Sequence, residues 1–597
     1  QQRRPARPPR PRRRPRLGDP QNRLKVGLVV VFMALSVLGA RLVQLQGLDS
    51  AALASEALDK RLVDVELAAH RGDITDAQGR LLAWTVERRN ILIDQTLVGN
   101  YDRRGTEQTP SGIAGAAQDL APVLGMDVKT LTAKLTGARR GAYVKKDVPP
   151  DVYRRARALR VPGLGAEQAS RRVYPAGSVG AQVVGFVSGD GRPLAGVERL
   201  YDEQLRGRDG NAAYERSEDG ARIPTGVNEE TDPVDGTSIR LTIDQDIQWK
   251  AQQVLDAEVA RFGAETGYVV VMEPAGTILA LASGPGFDAQ NPGRSTAANR
   301  ENRALTDVFE PGSTSKVVTL AAALEEKVAT PDTEVTIPPV LKRADRTFHD
   351  AHAHGVEQLT VAGVMAKSSN IGTILLGEQV PKERMYDYMR AFGLGTKTGV
   401  GLGESSGLLS APAKWDGSQR YTVLFGQGLA VTALQSADVF ATIANDGVRV
   451  APRIVAGTTS PDGTFAPSAR APVTRVVSAD TARKVRLMME SVVGEEGTAV
   501  KAEIPGYRVA GKTGTSQLAD PSCGCYRSGW YTASFIGMAP ADKPSLVVAV
   551  VLQKPKKGYY GGTVAAPAFQ EIMSYALTKR QVPPTGTTAP TATLTWD

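Results

Sequence analysis

The pattern of apolar and polar positions changes character several times along the chain. Val26 to Ala40 carries no charge, and the apolar character continues to Leu45 past Arg41. About 20 such residues span a bilayer, and Lys25 and Arg41 near the ends can snorkel to its surface. Leu38-Gly39-Ala40 offers a cleavage site, but the helical pattern runs past it, so an uncleaved anchor is expected. From Gln46 to about Leu67 the Ala/Leu-rich spacing predicts a helical connector. From Ala68 to about Val234 the apolar runs are short, which predicts short strands, turns and basic helices. Within that segment RGDITDAQGRLLA (Arg71 to Ala83) predicts two short strands around a turn at Asp76–Gly79.

Beyond residue 234 the periods lengthen. GYVVVMEPAGTILALASGPG (Gly267–Gly286) predicts a hairpin turning at Ala275-Gly276. Helical spacing dominates from about Val308 to Ile443. YRVAGKTGTSQ, GWYTASFIGMAP and SLVVAVVLQKP then predict three successive antiparallel strands. Strands open and close the region and helices fill its middle. That order suggests one sheet split in sequence, with a helical insertion packed against it. No internal repeat is visible.

Length and charge refine this picture. A chain of 597 residues is too long for one core. The net charge of +9 would suit a nucleic-acid partner, but residues 1–23 alone hold nine Arg and one Asp. The basicity is therefore assigned to a disordered tail, and no nucleic acid is expected. The Arg cluster should stay cytoplasmic and place everything after Leu45 outside. The Pro/Thr-rich end from Gln581 is also expected to be disordered. Only two cysteines occur, Cys523 and Cys525. They are too few for zinc; a local disulfide and free thiols both stay open, and neither cysteine is given a catalytic role.

The candidate chemistry sits in three short stretches. EPGSTSKVVTLAAALEEK (Glu310–Lys327) places Ser313 after a Pro-Gly turn at a helix start, with Lys316 one turn on and a stripe of Val317, Leu320, Ala321 and Leu324 to bury. A serine hydroxyl is a poor nucleophile until a base removes its proton. A lysine can do so only when neutral, which burial and a nearby positive charge favour. A helix cap followed by a surface lysine is the bland reading of any lone pair of this kind, but this S-x-x-K has no second instance in the chain. KSSNIGT adds Ser368, a hydroxyl that can relay a proton, and Asn370, an amide that can grip a substrate peptide group. VAGKTGTSQ adds Lys512, Thr513 and Thr515 on a predicted strand, suited to a substrate carboxylate. Gly514 between them is expected to let a ligand backbone approach. The backbone N–H groups of Ser313 and Thr515 are candidates for an oxyanion hole. GLGTKTGVGLGE repeats the Lys-Thr-Gly pattern at Lys397, in a glycine-rich loop without a flanking strand, and is read as a decoy.

Ser313-x-x-Lys316, Ser368-x-Asn370 and Lys512-Thr513-Gly514 together resemble the triple motif of penicillin-recognising serine acyltransferases. The likeness extends further. RGDITDAQGRLLA, RRVYPAGSVGAQVVGF and GVERLYDEQLRGRDG are similar to the three pedestal motifs of class B penicillin-binding proteins. The resemblance covers roughly Leu24 to Leu577. Within the class, the SCGCY stretch and Arg-rich tail are most like the actinobacterial cell-division, or septal, enzyme.

The resemblance implies an α+β multidomain fold. Its expected parts are a cytoplasmic tail (1–23), a transmembrane helix (24–45), a linker and pedestal of dimerisation type (46–234), a penicillin-binding transpeptidase domain (235–580) and a final tail (581–597). The last domain should hold a five-stranded antiparallel sheet with helices and a helical subdomain. It implies a single-pass membrane D,D-transpeptidase with an extracellular catalytic domain. Ser313, Lys316 and Ser368 would be catalytic, and Asn370, Lys512, Thr513, Gly514 and Thr515 would bind substrate. Partners would be peptidoglycan stem peptides, β-lactams, the membrane, a polytopic glycosyltransferase and other division proteins. No metal or organic cofactor is implied. Arg71, Gly72, Asp76, Arg172, Glu198 and Asp202 would be structural. Ser369, a free spacer in the motif, is assigned nothing.

Other readings compete. FHDAHAHG holds three of the four histidines and tempts a metal assignment, but alternate spacing on a loop does not fix ligand geometry. It is read as a hydrogen-bonded loop. A Ser-His-Asp triad lacks its G-x-S-x-G elbow, and the GLGTKTG glycines lack the context of a phosphate loop. A carboxypeptidase or β-lactamase, a penicillin sensor and an inactive division scaffold remain the functional alternatives.

Overall fold

The computed structural model describes residues 19–102, 111–217, 222–520, 522–523 and 525–596. Most of the Arg-rich tail lies outside them. The described chain divides into two units.

The first runs up to Ala69 and includes Arg208–Val234. Its apolar stretch is one exposed helix, Pro20–Val43, extended by a π turn to Leu48. Pro20–Leu48 is the one span among the described residues long and apolar enough to cross a membrane. Asp19 caps it through the Gln21 N–H, and Arg41 lies in its last turn, where a cation suits the helix dipole. The helical connector ends earlier than its Ala/Leu content implied. Leu62–Leu67 is a strand, paired antiparallel with Gly210–Glu215, which in turn pairs Asn228–Thr231. Its Val63 and Val65 alternate with Asp64 and Glu66, a period-two pattern that outweighs the helical composition before it.

The second unit holds the rest. RGDITDAQGRLLA forms Ile74–Thr75, a tight turn and Leu81–Asp94. The second strand is 14 residues long, not short, because it pairs both Arg140–Val148 and Leu164–Val173. The turn closes on Asp76, whose carboxylate accepts from the N–H groups of Gln78 and Arg80 and from Arg80 Nε at 2.7–2.9 Å. The three pedestal motifs converge on one buried carboxylate. Glu198 takes Arg71 Nε at 2.8 Å and Arg172 Nε at 2.7 Å, while Arg71 Nη1 reaches Asp202 at 2.6 Å. Gly72 is required: a Cβ there would lie 2.3 Å from the Thr237 carbonyl oxygen. A small separate core under helices Gly112–Leu124 and Val128–Leu135 completes the pedestal.

The predicted split sheet forms as expected. Five antiparallel strands are β1 (Thr266–Met272), β2 (Ile278–Gly284), β3 (Ala510–Asp520), β4 (Cys525–Ala539) and β5 (Leu546–Gln553), in the order β2-β1-β5-β4-β3. β1, β2 and β5 are buried along their full length, which requires cover on both faces. Helix Gln245–Phe262 and the C-terminal helix Ala566–Lys579 pack against the sheet, as does Ala433–Ala444, fully buried along its own length. The insertion carries α1 (Lys316–Glu325), α2 (Val361–Lys367) and α3 (Asn370–Gly377). It is not all helical: four short strands between Glu334 and Thr360 form two small antiparallel pairs. Runs such as EVTI and RTF are too brief to show their alternation against the helices around them.

The final tail also departs from expectation. The carbonyls of Thr593 and Leu594 accept from the Thr360 hydroxyl and N–H at 2.6 and 3.0 Å, at the entrance to α2. Leu594 packs on the main core. Its carbonyl lies where a Cβ on Gly363 would stand, 2.0 Å away. A Pro/Thr-rich composition hides this docking because it runs through backbone groups that every residue has.

Candidate active site

The motif serine does not open an α-helix. Gly312–Ser315 is a 3₁₀ turn and α1 begins at Lys316. In a 3₁₀ turn residues three apart eclipse, so Ser313 and Lys316 share a face more closely than an α-turn would allow. Pro311 and Gly312 set this up: Gly312 adopts φ 53° and its N–H donates to the Gly426 carbonyl at 3.0 Å. The apolar stripe Val317, Leu320, Ala321 and Leu324 buries as expected and holds α1 in place.

Ser368 sits at the junction of α2 and α3 in the left-handed region, φ 62°. That conformation is strained for a serine and is held by its neighbours. Its hydroxyl accepts from Lys512 Nζ at 2.8 Å and from Lys316 Nζ at 3.3 Å, and its carbonyl accepts from Lys316 Nζ as well. Three stretches far apart in sequence therefore meet on one oxygen. Both lysines are fully buried. Burial lowers Lys316 to about 7, although Asp350 opposes the shift. Burial and the nearby Lys316 push Lys512 well below its ordinary value. Two ammonium groups sharing one hydroxyl repel, so the pair is held short of double protonation.

Above this floor lies a cleft of about 610 Å³. Ser313, Ser368, Asn370, Thr513 and Thr515 line it, whereas Lys316, Lys512 and Gly514 do not. Two sequence-based expectations change as a result. Lys512 faces Ser368 from below, so hydroxyls of Thr513 and Thr515 are what the cleft presents beside it. The room left by Gly514 is taken by the protein itself: a Cβ would meet Ser534 Oγ at 2.3 Å and Thr314 Cγ2 at 3.0 Å. The glycine lets β3 pack against β4 and the Ser313 turn. Thr513 is steadied by Thr498 at 2.8 Å, and Thr515 Oγ1 accepts from the Gly561 N–H at 3.1 Å. Tyr531, Tyr559, Tyr560 and His352 add an aromatic wall, with Tyr531 and Tyr559 stacked at 4.4 Å.

Two residues passed over in the sequence hold the second motif. Ser369 caps α3 through the Gly372 N–H at 2.9 Å and donates to Asp350 Oδ2 at 2.6 Å. Asp350 Oδ1 accepts from the N–H groups of Asn370 and, at 3.0 Å, Ile371. The histidine-rich loop is thus a hydrogen-bonded brace. Asn370 Nδ2 also donates to the His349 carbonyl at 3.0 Å. The serine-to-helix spacing before a hydrophobic run was the available signal for Ser369; nothing in sequence tied Asp350 to it.

The decoy is resolved. Lys397 is exposed, and its loop wraps a carboxylate of its own: Glu404 accepts from the N–H groups of Thr398, Gly399 and Gly401 at 2.7–3.2 Å. Cys523 and Cys525 are joined as a disulfide. The next residue, Tyr526, donates to Glu310 at 2.9 Å, three positions before Ser313.

Comparison with known proteins agrees with this geometry. A model of the penicillin-binding protein transpeptidase domain matches residues 267–574, and one of the penicillin-binding protein dimerisation domain matches 66–241. Penicillin-binding protein PbpB of Mycolicibacterium smegmatis is 37% identical, over 96% of this chain and 92% of its own. Peptidoglycan D,D-transpeptidase FtsI of Escherichia coli is 33% identical, over 93% and 91%. The crystal structure of penicillin-binding protein 3 of Mycobacterium tuberculosis complexed with aztreonam aligns with a TM-score of 0.69 at 32% identity, over 89% of this chain and all of that one.

Proposed function

Since this chain belongs to the class B penicillin-binding proteins and is a peptidoglycan D,D-transpeptidase, we propose that Ser313 is its nucleophile and Lys316 the base that activates it. Neutral Lys316 takes the Ser313 proton as the oxygen attacks the D-Ala–D-Ala carbonyl. The proton passes through Ser368 to the departing D-Ala amine. A stem-peptide amine then attacks the ester, gives up a proton by the same route and regenerates the serine. An incoming substrate carboxylate favours a proton on Lys512, which leaves Lys316 neutral when it is needed. Thr513 and Thr515 hold that carboxylate, Asn370 holds the peptide backbone, and the N–H groups of Ser313 and Thr515 receive the oxyanion. Penicillins acylate the same serine.

The observation that carries this reading is the meeting of two buried lysines on the Ser368 hydroxyl beneath the cleft that Ser313 lines. Ser313→Ala should lose all labelling by a fluorescent penicillin while the protein stays folded. Lys316→Ala should lose acylation and Lys397→Ala should keep it; the reverse pattern would place the base elsewhere. Release of D-Ala without cross-linked dimers would instead make the protein a carboxypeptidase.

We place the N-terminal tail in the cytoplasm and the catalytic domain outside, from the arginines that precede the Pro20–Leu48 span. The relatives' names, FtsI and PbpB, support a septal role, and we propose a glycosyltransferase and other division proteins as its partners.

A further inference from the structure

We propose that Asp350 is a positioning residue for acylation: its carboxylate clamps the Ser368–Asn370 corner in place, and its negative charge acts on the Lys316 amine. The clamp is built from separate groups. One carboxylate oxygen takes the first two N–H groups of α3, and the other takes the Ser369 hydroxyl. Ser369 in turn caps the same helix. The corner therefore has its helix N-terminus neutralised by an anion, as the dipole favours. That anchor fixes the residues just after Ser368, whose own N–H is held by the Val364 carbonyl, and Ser368 is the residue through which both lysines meet.

The charge has a second effect. Lys316 donates to the Ser368 carbonyl, one residue from the serine that Asp350 binds. A mostly buried anion this close stabilises the ammonium form, against the burial that favours the neutral one. Lys512 faces the same hydroxyl, where burial and the Lys316 charge push it well below its ordinary value. The oxygen that takes the Ser369 hydroxyl also meets His354 Nε2 at 3.2 Å. Burial works against the His354 cation, but the Gly355 carbonyl, Glu357 and Asp350 together raise it above its ordinary value. In acid, His354 becomes cationic and offsets the Asp350 charge. Lys367, next to the corner, is an exposed residue of the cleft lining and pairs with Glu496 at 3.1 Å.

The test is the rate of Ser313 acylation by benzylpenicillin as a function of pH, measured on the full chain in detergent. Asp350→Asn keeps an oxygen for the two N–H groups and drops the charge. Its rising limb should move to lower pH by about half a unit or more, because the influence that holds Lys316 protonated is gone. Asp350→Ala removes the clamp too and should slow acylation at every pH by ~10–100-fold. His354→Gln removes the titrating neighbour, so the limb that remains belongs to the lysines; adding Asp350→Asn to it should still shift that limb. An Asp350→Asn profile that superimposes on the wild type would refute the electrostatic role. Wild-type rates in Asp350→Ala would refute the clamp. If Asp350→Ala does not fold, Asp350→Asn still decides the first point, and an unshifted Ser368-dependent rate in Ser369→Ala the second. The proposal rests on Ser313 and Lys316 having the roles given above. Loss of labelling in Ser313→Ala and Lys316→Ala checks those roles independently, so an Asp350→Asn profile that superimposes on the wild type would sink this inference alone.

Discussion

Ser313 gains its reactivity from a lysine that is fully buried, and burial is what the sequence could least reveal about Lys316. A lysine held at about 7 is half neutral near that pH, whereas an ordinary one is almost wholly charged. The sign follows directly. The neutral form is the base and accumulates above the lowered value, so acylation should rise with pH through about 7 and flatten above it. A pH-independent rate from 6 to 9 would show that another group accepts the proton. Ser369→Ala, at a position that seemed a mere spacer, should cost about 0.5–2 kcal/mol of stability as a lost helix cap, read from denaturant midpoints. The identities of Ser313, Lys316, Ser368 and Lys512 were legible because hydroxyls and amines at those spacings are rare in combination. Asp350 was not legible, since the residues of the corner it braces stand nineteen or more positions away and no local pattern marks them.

At the level of elements, the hydrophobic periods gave reliable strands and a less reliable helical middle. β1, β2 and β5 declared themselves as continuous apolar runs, the signature of strands covered on both faces. The small strands between Glu334 and Thr360 did not, because each is three or four residues long. The Glu198 network shows what the pedestal motifs are for. They bring two arginines from separate strands and loops onto one carboxylate with no exposure. Glu198→Ala would leave the buried Arg172 without its carboxylate and Arg71 with Asp202 alone, and should destabilise the pedestal by about 3–5 kcal/mol. A thermal shift no larger than that of a surface control such as Glu203→Ala would contradict the assignment. Ending the chain at Arg580 should loosen the entrance to α2, since the Thr360 N–H and hydroxyl would lose their acceptors. A lower melting temperature and slower acylation are expected, and an unchanged melting temperature would show that the docked tail contributes nothing.

Across the whole molecule, average charge proved a poor guide to its distribution. After the tail the chain is nearly neutral, yet residues 112–173 hold twelve basic and five acidic side chains. Removing residues through Leu48 should release the protein from the membrane fraction while penicillin labelling persists, because the cleft draws every wall from Gly312 onward. Labelling that disappears with the anchor would mean the site depends on the membrane. What the sequence determined by itself was the order of domains, the apolar span, the split sheet and the reactive groups; these depend on local composition and spacing. What only the tertiary structure decided was which amine is desolvated, which glycine's space is filled by its own protein, and which distant carboxylate braces the corner. Burial and through-space charge arise only when segments remote along the chain are packed together.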